Sequence, residues 1–362
     1  MKAHDNWLDL DRSGGFRGWN KGFFRKFTDL KKKNPNAKYL VRPKNDPQGN
    51  IDIYYFLNQL ALGGWNDSTK RKYSELLADP AKIARFVEHS LSFVTEYGFD
   101  GLDLDYEYPN YDGHGHDAPE SDRPGFTLLC QKLSEAFRPL GLELTAAVSA
   151  SENVTRAGYE VREVCSYLDS VHVMAYDFHG QWEKNVNHQS PLYGEDWDQL
   201  TVDHGLNVWL DMGCPREKLI VGIPTYGRTW TLGSWAEPEI SYEINATALS
   251  GGQPGPHTRA KGFLAYHEIC DLVKNQGWTK VSDPQLRTGP YAYHGNQWVS
   301  YDDIEIVRVK ANYINDQGFG GAMFWDLSTD DFNNICGDGR SPLITTVSQI
   351  VKSQTSCSAS RQ

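Results

Sequence analysis

Asp103, Asp105 and Glu107 occupy alternate positions in Gly101-Leu102-Asp103-Leu104-Asp105-Tyr106-Glu107-Tyr108. Side chains two apart along a strand point the same way, about 7 Å per step. The spacing therefore predicts a strand with the carboxyls on one face and Leu102, Leu104 and Tyr106 on the other, entered by a turn at Asp100-Gly101 and stopped by Pro109. Like charges held this close disfavour joint ionisation, so at least one of the acids should keep its proton well above a carboxyl's usual range. A carboxylic acid still protonated near neutral pH can serve a glycosidic oxygen as general acid. Glu107 is the expected owner of that proton, having the longest reach and the outermost place. Asp105 sits next, able to share the proton and turn toward a substrate, with Asp103 behind it.

Two other readings compete. Hard cations take carboxylate oxygens, so D-x-D-x-E could bind Mg²⁺ or Ca²⁺. The residues that follow, Tyr108-Pro109-Asn110-Tyr111-Asp112, supply neither the glycine turn nor the distal glutamate of a calcium loop. A solvated acidic strand is disfavoured by the alternating apolar residues. His114-Gly115-His116-Asp117 has metal-ligand residue types, but no distal partner stands at ligand spacing, so a plain loop is expected. No metal and no cofactor is predicted.

Asp100-Gly101-Leu102-Asp103-Leu104-Asp105-Tyr106-Glu107 resembles the DGxDxDxE signature of glycoside hydrolase family 18, the chitinases and their relatives, in its arthropod form. Tyr106 stands where the family usually has Trp. The resemblance implies Glu107, Asp105, Asp103 and Tyr176 as catalytic residues. Val173-Met174-Ala175-Tyr176-Asp177 matches the family's M-x-Y-D element. It implies a Tyr176 hydroxyl donated to the substrate's N-acetyl group, Asp177 on the same sugar, and Met174 on the pocket floor. Gly222-Ile223-Pro224-Thr225-Tyr226-Gly227-Arg228 implies Tyr226 and Arg228 as sugar contacts. Gly321-Ala322-Met323-Phe324-Trp325-Asp326 implies Met323 and, as the sugar platform, Trp325. Gly63, Gly64, Trp65, Asn66, Tyr108 and Trp182 complete the implied binding set. A tryptophan is more often core than ligand, but Trp65, Trp182 and Trp325 lie just past strand ends. Asp326 and Ser328 replace the family's usual Ala and Asp. The implied reaction is retaining hydrolysis of chitin assisted by the substrate's own acetamido group. The alternative is a lectin-like chitin-binding chain, or an inactive fragment, that keeps the cleft without turnover.

The elements that must position these residues are legible from periodicity. Helical patterns at Phe23–Lys33, Ala81–Tyr97, Pro124–Leu140, Tyr159–Leu168, Val202–Asp211, Ile304–Asn315 and Leu343–Lys352 alternate with apolar strands at Leu142–Val148, Ser170–Met174, Leu219–Ile223 and Gly320–Phe324. Such alternation predicts a parallel sheet covered by helices, a (β/α)8 barrel with its active site at the strand C-termini. The stretch 230–299 breaks the pattern around a helix at Tyr266–Gln276 and resembles the small α+β domain inserted after the seventh barrel strand. The barrel is then 1–229 with 300–352, and 353–362 is a polar tail expected to be disordered.

The start departs from the family. Its first two strands are not found, and residues 41–60, between strand-like Ala37–Val41 and Leu60-Ala61-Leu62-Gly63-Gly64, read as an atypical insertion; Arg12–Lys21 reads as a smaller one. The expectation is an N-terminally incomplete barrel with two exposed edges.

Net charge is −11 with pI near 5.5, which argues against nucleic acid and anionic membranes. No apolar run approaches the roughly 20 residues of a membrane span, and no signal peptide is evident at Met1-Lys2-Ala3-His4-Asp5. The resemblance nevertheless implies an extracellular, monomeric protein acting on chitin or chitooligosaccharides. It also implies a disulfide between Cys270 and Cys336; Cys130 and Cys165 lie in apolar helical patterns and are expected to be buried thiols. Sequons at Asn66, Asn153 and Asn245 permit glycosylation, least plausibly at the cleft residue Asn66.

Overall fold

A computed structural model describes residues 23–29, 32, 59–68, 71–111, 113, 118–194, 198–233 and 240–358. They fall into two compact units. One comprises the described residues up to Ala147 together with Ala157–Ser170, the other Val148–Arg156 and those from Val171 onward. The expected loop His114–Asp117, the strand-like runs at 37–41 and 51–57, and the segment Arg12–Lys21 lie outside the described residues.

In the first unit, strands β1 (Gln59–Gly63), β2 (Gly101–Asp105) and β3 (Glu143–Ser149) pair in parallel in that order. All but the last residue of β2 and the first of β3 are buried, so both faces are covered, as a helix-flanked parallel sheet requires. The register sets Gly63 opposite Asp105 and Thr145 opposite Asp103. Gln59 and Leu60 are part of β1, so the expected insertion cannot run to residue 60.

Helices α1 (Phe23–Thr28), α2 (Lys72–Leu77), α3 (Pro80–Tyr97) and α4 (Asp122–Phe137) belong to the same unit. The sequence defines α3 at both ends. The Asp79 carboxylate accepts from the Ala81 and Lys82 amides, Pro80 opens the first turn, and Gly98 closes it in the left-handed region at φ 72°. Its buried positions Ile83, Phe86, Ser90, Val94 and Tyr97 recur every three or four residues and form one face. Gly125 lets α4 approach α2: a β-carbon there would lie 2.8 Å from that of Leu77.

Helices α5 (Glu152–Gly158) and α6 (Val161–Tyr167) follow β3. The second unit holds parallel strands β4 (Ser170–Met174) and β5 (Leu219–Pro224), with helix α7 (Val202–Asp211) between them. After a single residue, Thr225, the chain continues from β5 into β6 (Tyr226–Leu232) and enters an antiparallel sheet. That sheet contains β7 (Ala248–Gly251), β8 (Phe263–Ala265), β9 (Thr279–Val281), β10 (Tyr291–His294) and β11 (Gln297–Tyr301), in the order β7-β6-β11-β10-β9 with β8 on β6. Helix α8 (Tyr266–Asn275) follows β8. This is the expected α+β insertion, and it begins within Tyr226–Leu232. Trp230 and Trp298 meet edge to face at 5.4 Å in its core, and their indoles donate to the carbonyls of Gly180 and Tyr242.

Helix α9 (Ile304–Gln317), capped by Asp303 and ended by Gly318, leads to β12 (Gly321–Trp325), which pairs in parallel with β5. The closing helix α10 runs from Pro342 to Ser358, beyond the expected end at Lys352. Six parallel strands thus alternate with helices among the described residues, in the chain order of a (β/α)8 barrel without its first two strands. Each terminal strand of the series, β1 and β12, has one paired neighbour among the described residues.

Cys270 and Cys336 are disulfide-bonded with Cα atoms 6.0 Å apart, as the resemblance implied. Cys130 is a buried free thiol. Cys165 is not a free thiol: it is disulfide-bonded, as is Cys214, which the apolar helical pattern around Cys165 could not reveal. Among the described residues no helix is long and apolar enough to cross a membrane.

Candidate active site

In the first unit the acids converge at the end of β2. Asp103 is buried and takes a hydrogen bond from the Thr145 hydroxyl, its partner across the sheet. Asp105 is the last residue of the strand; its Oδ1 is buried and has no hydrogen-bond partner. Glu107 lies just beyond the strand, half-buried, with its amide donating to the Ser68 hydroxyl at 3.1 Å. Tyr108, partly buried, follows it, and burial with the adjacent Glu107 carboxylate raises its phenol well above the usual range.

Crowding acts on Asp105: burial, then the charges of Glu107 and Asp103, push its carboxyl up to about 8, so a proton is held there near neutral pH.

Gly63 and Gly64, expected to line the sugar site, hold Asp105 in place. Gly63 adopts φ 135°, and the Gly64 amide donates to the Asp105 carbonyl at 2.7 Å. The exposed Trp65 and Asn66 follow in a turn closed by amides of Asp67 and Ser68 on the Gly64 carbonyl. Tyr106 faces away from the acids. Its ring stacks on Tyr73 at 4.6 Å and its hydroxyl donates to the fully buried Asp122, which also receives Ser74. A tyrosine thus suits this position because an acceptor is waiting for its hydroxyl. Ser68, Thr145 and Asp122 carry no motif, and only the register or the tertiary fold brings them to the site.

The second unit assembles the remaining candidates. Asp177 adopts the left-handed region at φ 57°, which Asp tolerates better than most side chains. Its carboxylate accepts from the Tyr226 hydroxyl at 2.8 Å and from Arg228 Nε and Nη2, both at 2.6 Å. Tyr226 is only 1% exposed, and its hydroxyl donates to Asp177 and orients that carboxylate. Arg228 is sandwiched between rings, its guanidinium 5.3 Å from Trp182, 5.4 Å from Tyr226 and 5.5 Å from Phe263. Tyr176 is buried at the end of β4 and its hydroxyl points to Met323 Sδ at 3.7 Å. Gly222 makes room for it: a β-carbon there would lie 2.8 Å from the Tyr176 ring. Met174, at the end of β4, and Met323, in the middle of β12, are half-buried. Trp182 and Trp325 are 58% and 52% exposed, leaving indole faces open to a ligand. At the unusual pair, the Ser328 amide and hydroxyl both donate to Asp326 Oδ1, a closed local turn.

Among the described residues, Cys270, Asp331 and Cys336 form a group close enough to hold a metal, and both of its sulfurs are spent on the disulfide.

Residues 58–330 match the sequence model of the glycosyl hydrolases family 18. The chain is 41% identical over 356 residues to probable chitinase 10 of Drosophila melanogaster, covering 97% of this chain and 14% of that protein. It is 39% identical to the endochitinase of Manduca sexta, covering 96% of this chain and 58% of that one. The chain therefore spans well under two thirds of either relative. Among solved structures it resembles a variant of catalytic domain 2 of the Ostrinia furnacalis Group II chitinase in complex with (NAG)5. The TM-score is 0.84 at 38% identity, covering 97% of this chain and 84% of that one. With the family model matching most of its length, the chain belongs to glycosyl hydrolases family 18.

Proposed function

We propose that this protein hydrolyses β-1,4-linked N-acetylglucosamine polymers, chitin and chitooligosaccharides, with retention of anomeric configuration. The observation that carries the reading is the acid row of β2, in which a buried carboxyl keeps a proton to about pH 8 beside Glu107. Glu107 and Asp105 act as a coupled pair holding one proton between them. On binding, that proton passes to Glu107, which gives it to the leaving glycosidic oxygen as the C1–O bond breaks. The substrate's acetamido carbonyl oxygen forms the new bond to C1, giving a cyclic oxazolinium ion, the substrate-assisted exception to the two-carboxylate scheme. Anionic Asp105 stabilises that cation. Water then adds to C1 as the ring C1–O bond of the oxazolinium breaks and restores the acetamido group; the water's proton goes to Glu107, and the configuration is retained.

In this reading Tyr176 serves the acetamido group, as the family resemblance implies, and Asp177 is oriented for the same sugar by the Tyr226 hydroxyl and the Arg228 guanidinium. Met174, Met323, Trp65, Asn66, Tyr108, Trp182 and Trp325 supply binding surface. The Cys270–Cys336 bond suits an oxidising, extracellular setting. A monomer is proposed as the working form.

Release of a fluorophore from a chitooligosaccharide tests the assignment. Glu107→Gln should lose about 10²–10⁴-fold in turnover while still being retained on chitin beads. Equal turnover in parent and variant refutes the role of Glu107. An inert parent that binds the beads reduces the function to chitin binding.

A further inference from the structure

Residues 178–189, soon after β4, form a closed loop, its ends joined by the Phe178 amide donating to the Gln189 carbonyl at 3.0 Å. Trp182, more than half exposed, stands on this loop. Its indole lies over Gly180, where a β-carbon would collide with the ring, and against the Arg228 guanidinium. The turn that carries it is pinned twice by Glu183, whose amide donates to the Gly180 carbonyl and whose carboxylate accepts the Gly180 amide. What holds that carboxylate is the buried ring of His179. Nδ1 stands 3.0 Å from Glu183 Oε2, and Nε2 3.3 Å from Asp198 Oδ2. One imidazole thus bridges a carboxylate of its own loop and one beyond it.

A ring that donates from both nitrogens is an imidazolium. Burial alone would lower the His179 value, but the hydrogen bonds and charges of Asp198 and Glu183 outweigh it and push it up to about 9. The third titratable group facing the ring is His188, which burial pushes down to about 4 and keeps neutral. Asn187 completes the cluster. Its Oδ1 accepts the His188 amide, which turns its Nδ2 toward Asp198 Oδ2 and His179 Nε2, each at 3.2 Å.

On the reading that Trp182 is saccharide-binding surface, we propose that His179 is a positioning residue for the sugar: by clasping Glu183 and Asp198 at once it fixes the turn that presents Trp182. When the ring loses a proton, the Asn187 amide donates into the bare Nε2 and the bond to Asp198 is given up. Nδ1 keeps Glu183, but through a neutral donor, and such bonds are roughly half as strong as charge-assisted ones. The loop then loses its anchor beyond residue 189, and Trp182 its fixed place.

Calorimetric titration of the full-length Glu107→Gln chain with chitopentaose, from pH 7 to pH 10, tests this without turnover. Affinity should fall about five- to tenfold as pH rises through about 9 and the charge-assisted bonds are lost. Trp182→Ala, a change at an exposed side chain, should bind more weakly at pH 7 and lack that fall. His179→Gln should also cost about five- to tenfold at pH 7, and nothing further once Trp182 is Ala, since the two act through one another. In the active chain the same substitution should raise KM more than it lowers kcat. The ¹⁵N-histidine resonances of the parent should show a doubly protonated His179 ring until about pH 9. Affinity that passes pH 9 unchanged, an equal fall in Trp182→Ala, additive losses in the double variant, or a neutral ring at pH 7 overturns the role of His179. No binding at pH 7 by the Glu107→Gln chain refutes the chitin reading, and this role with it.

Discussion

A β-carbon on Gly63 would lie 1.9 Å from the carbonyl oxygen of Asp105. The two residues are register partners of β1 and β2, and Gly63 also sits at φ 135°, where side chains are strained whatever the space. The close approach lets the next residue, Gly64, donate its amide to the same carbonyl. Gly63→Ala therefore meets both a backbone clash and a forbidden dihedral, and should destabilise by at least about 1–3 kcal/mol. Denaturant unfolding measures it. Because the displaced atom belongs to Asp105, turnover should fall more steeply than stability, and loss of stability alone would show that Asp105 does not need this support.

Asp105 links stability to pH. Burial and neighbouring charge push its carboxyl up to about 8 in the folded chain, against an ordinary 3.8. Between those values the folded chain binds more protons than the unfolded chain, so this residue makes stability fall as pH rises across the window. Asp105→Asn stays neutral throughout. Its melting temperature should exceed the parent's by a margin that widens from pH 4 to pH 8 and then levels, while turnover drops about 10²-fold or more. A margin independent of pH would mean that the carboxyl ionises normally.

The same coupling predicts an alkaline limb in the rate profile. Activity should decline as pH rises through about 8, where the shared proton is lost. Asp103 is one of the charges that raise that value, so Asp103→Asn should move the limb to lower pH. A limb that stays in place in this variant would assign it to another group.

Much of this was legible because strands and helices differ in period. Ser170–Met174 and Val202–Asp211 are found where the pattern put them, and the alternation in Leu102–Asp105 announced both the strand and its acid face. What escaped depends on depth and on neighbours. That the Tyr226 hydroxyl bonds Asp177 could not be read in sequence, because it depends on β5 running almost directly into β6. The proton held on Asp105 depends first on how deeply that carboxyl is buried, which one-dimensional spacing does not encode. Cys165 reads as a core thiol because its helix is apolar, and its disulfide bond leaves no trace in the local pattern.

The Cys270–Cys336 bond closes a loop across a sequence separation of 66. Cross-linking at that separation restricts the unfolded chain by about 3–5 kcal/mol. Cys270→Ser with Cys336→Ser should cost about that much in denaturant unfolding. The Lys274 ammonium would still reach the Cys336 carbonyl and Asp338, so the local loop should keep its place. The loss should then show in the unfolding midpoint, with activity at low temperature preserved.

Arg228 offers the sharpest separation of charge from shape. Its guanidinium gives Asp177 two parallel bonds through Nε and Nη2 while lying against Trp182, Tyr226 and Phe263. Lysine keeps the charge but offers a single ammonium with no planar face, so it can supply neither the fork nor the stacking. Arg228→Lys should therefore leave a cation beside Asp177 but let the carboxylate turn, lowering kcat/KM about tenfold or more, a loss of about 1.4 kcal/mol. Stability should fall by about 1–2 kcal/mol through the lost cation–π and hydrogen-bond contacts. If charge alone held Asp177, the lysine variant would match the parent and Arg228→Gln would be the damaging change. If the fork matters, both variants fail together, and restoring positive charge recovers little.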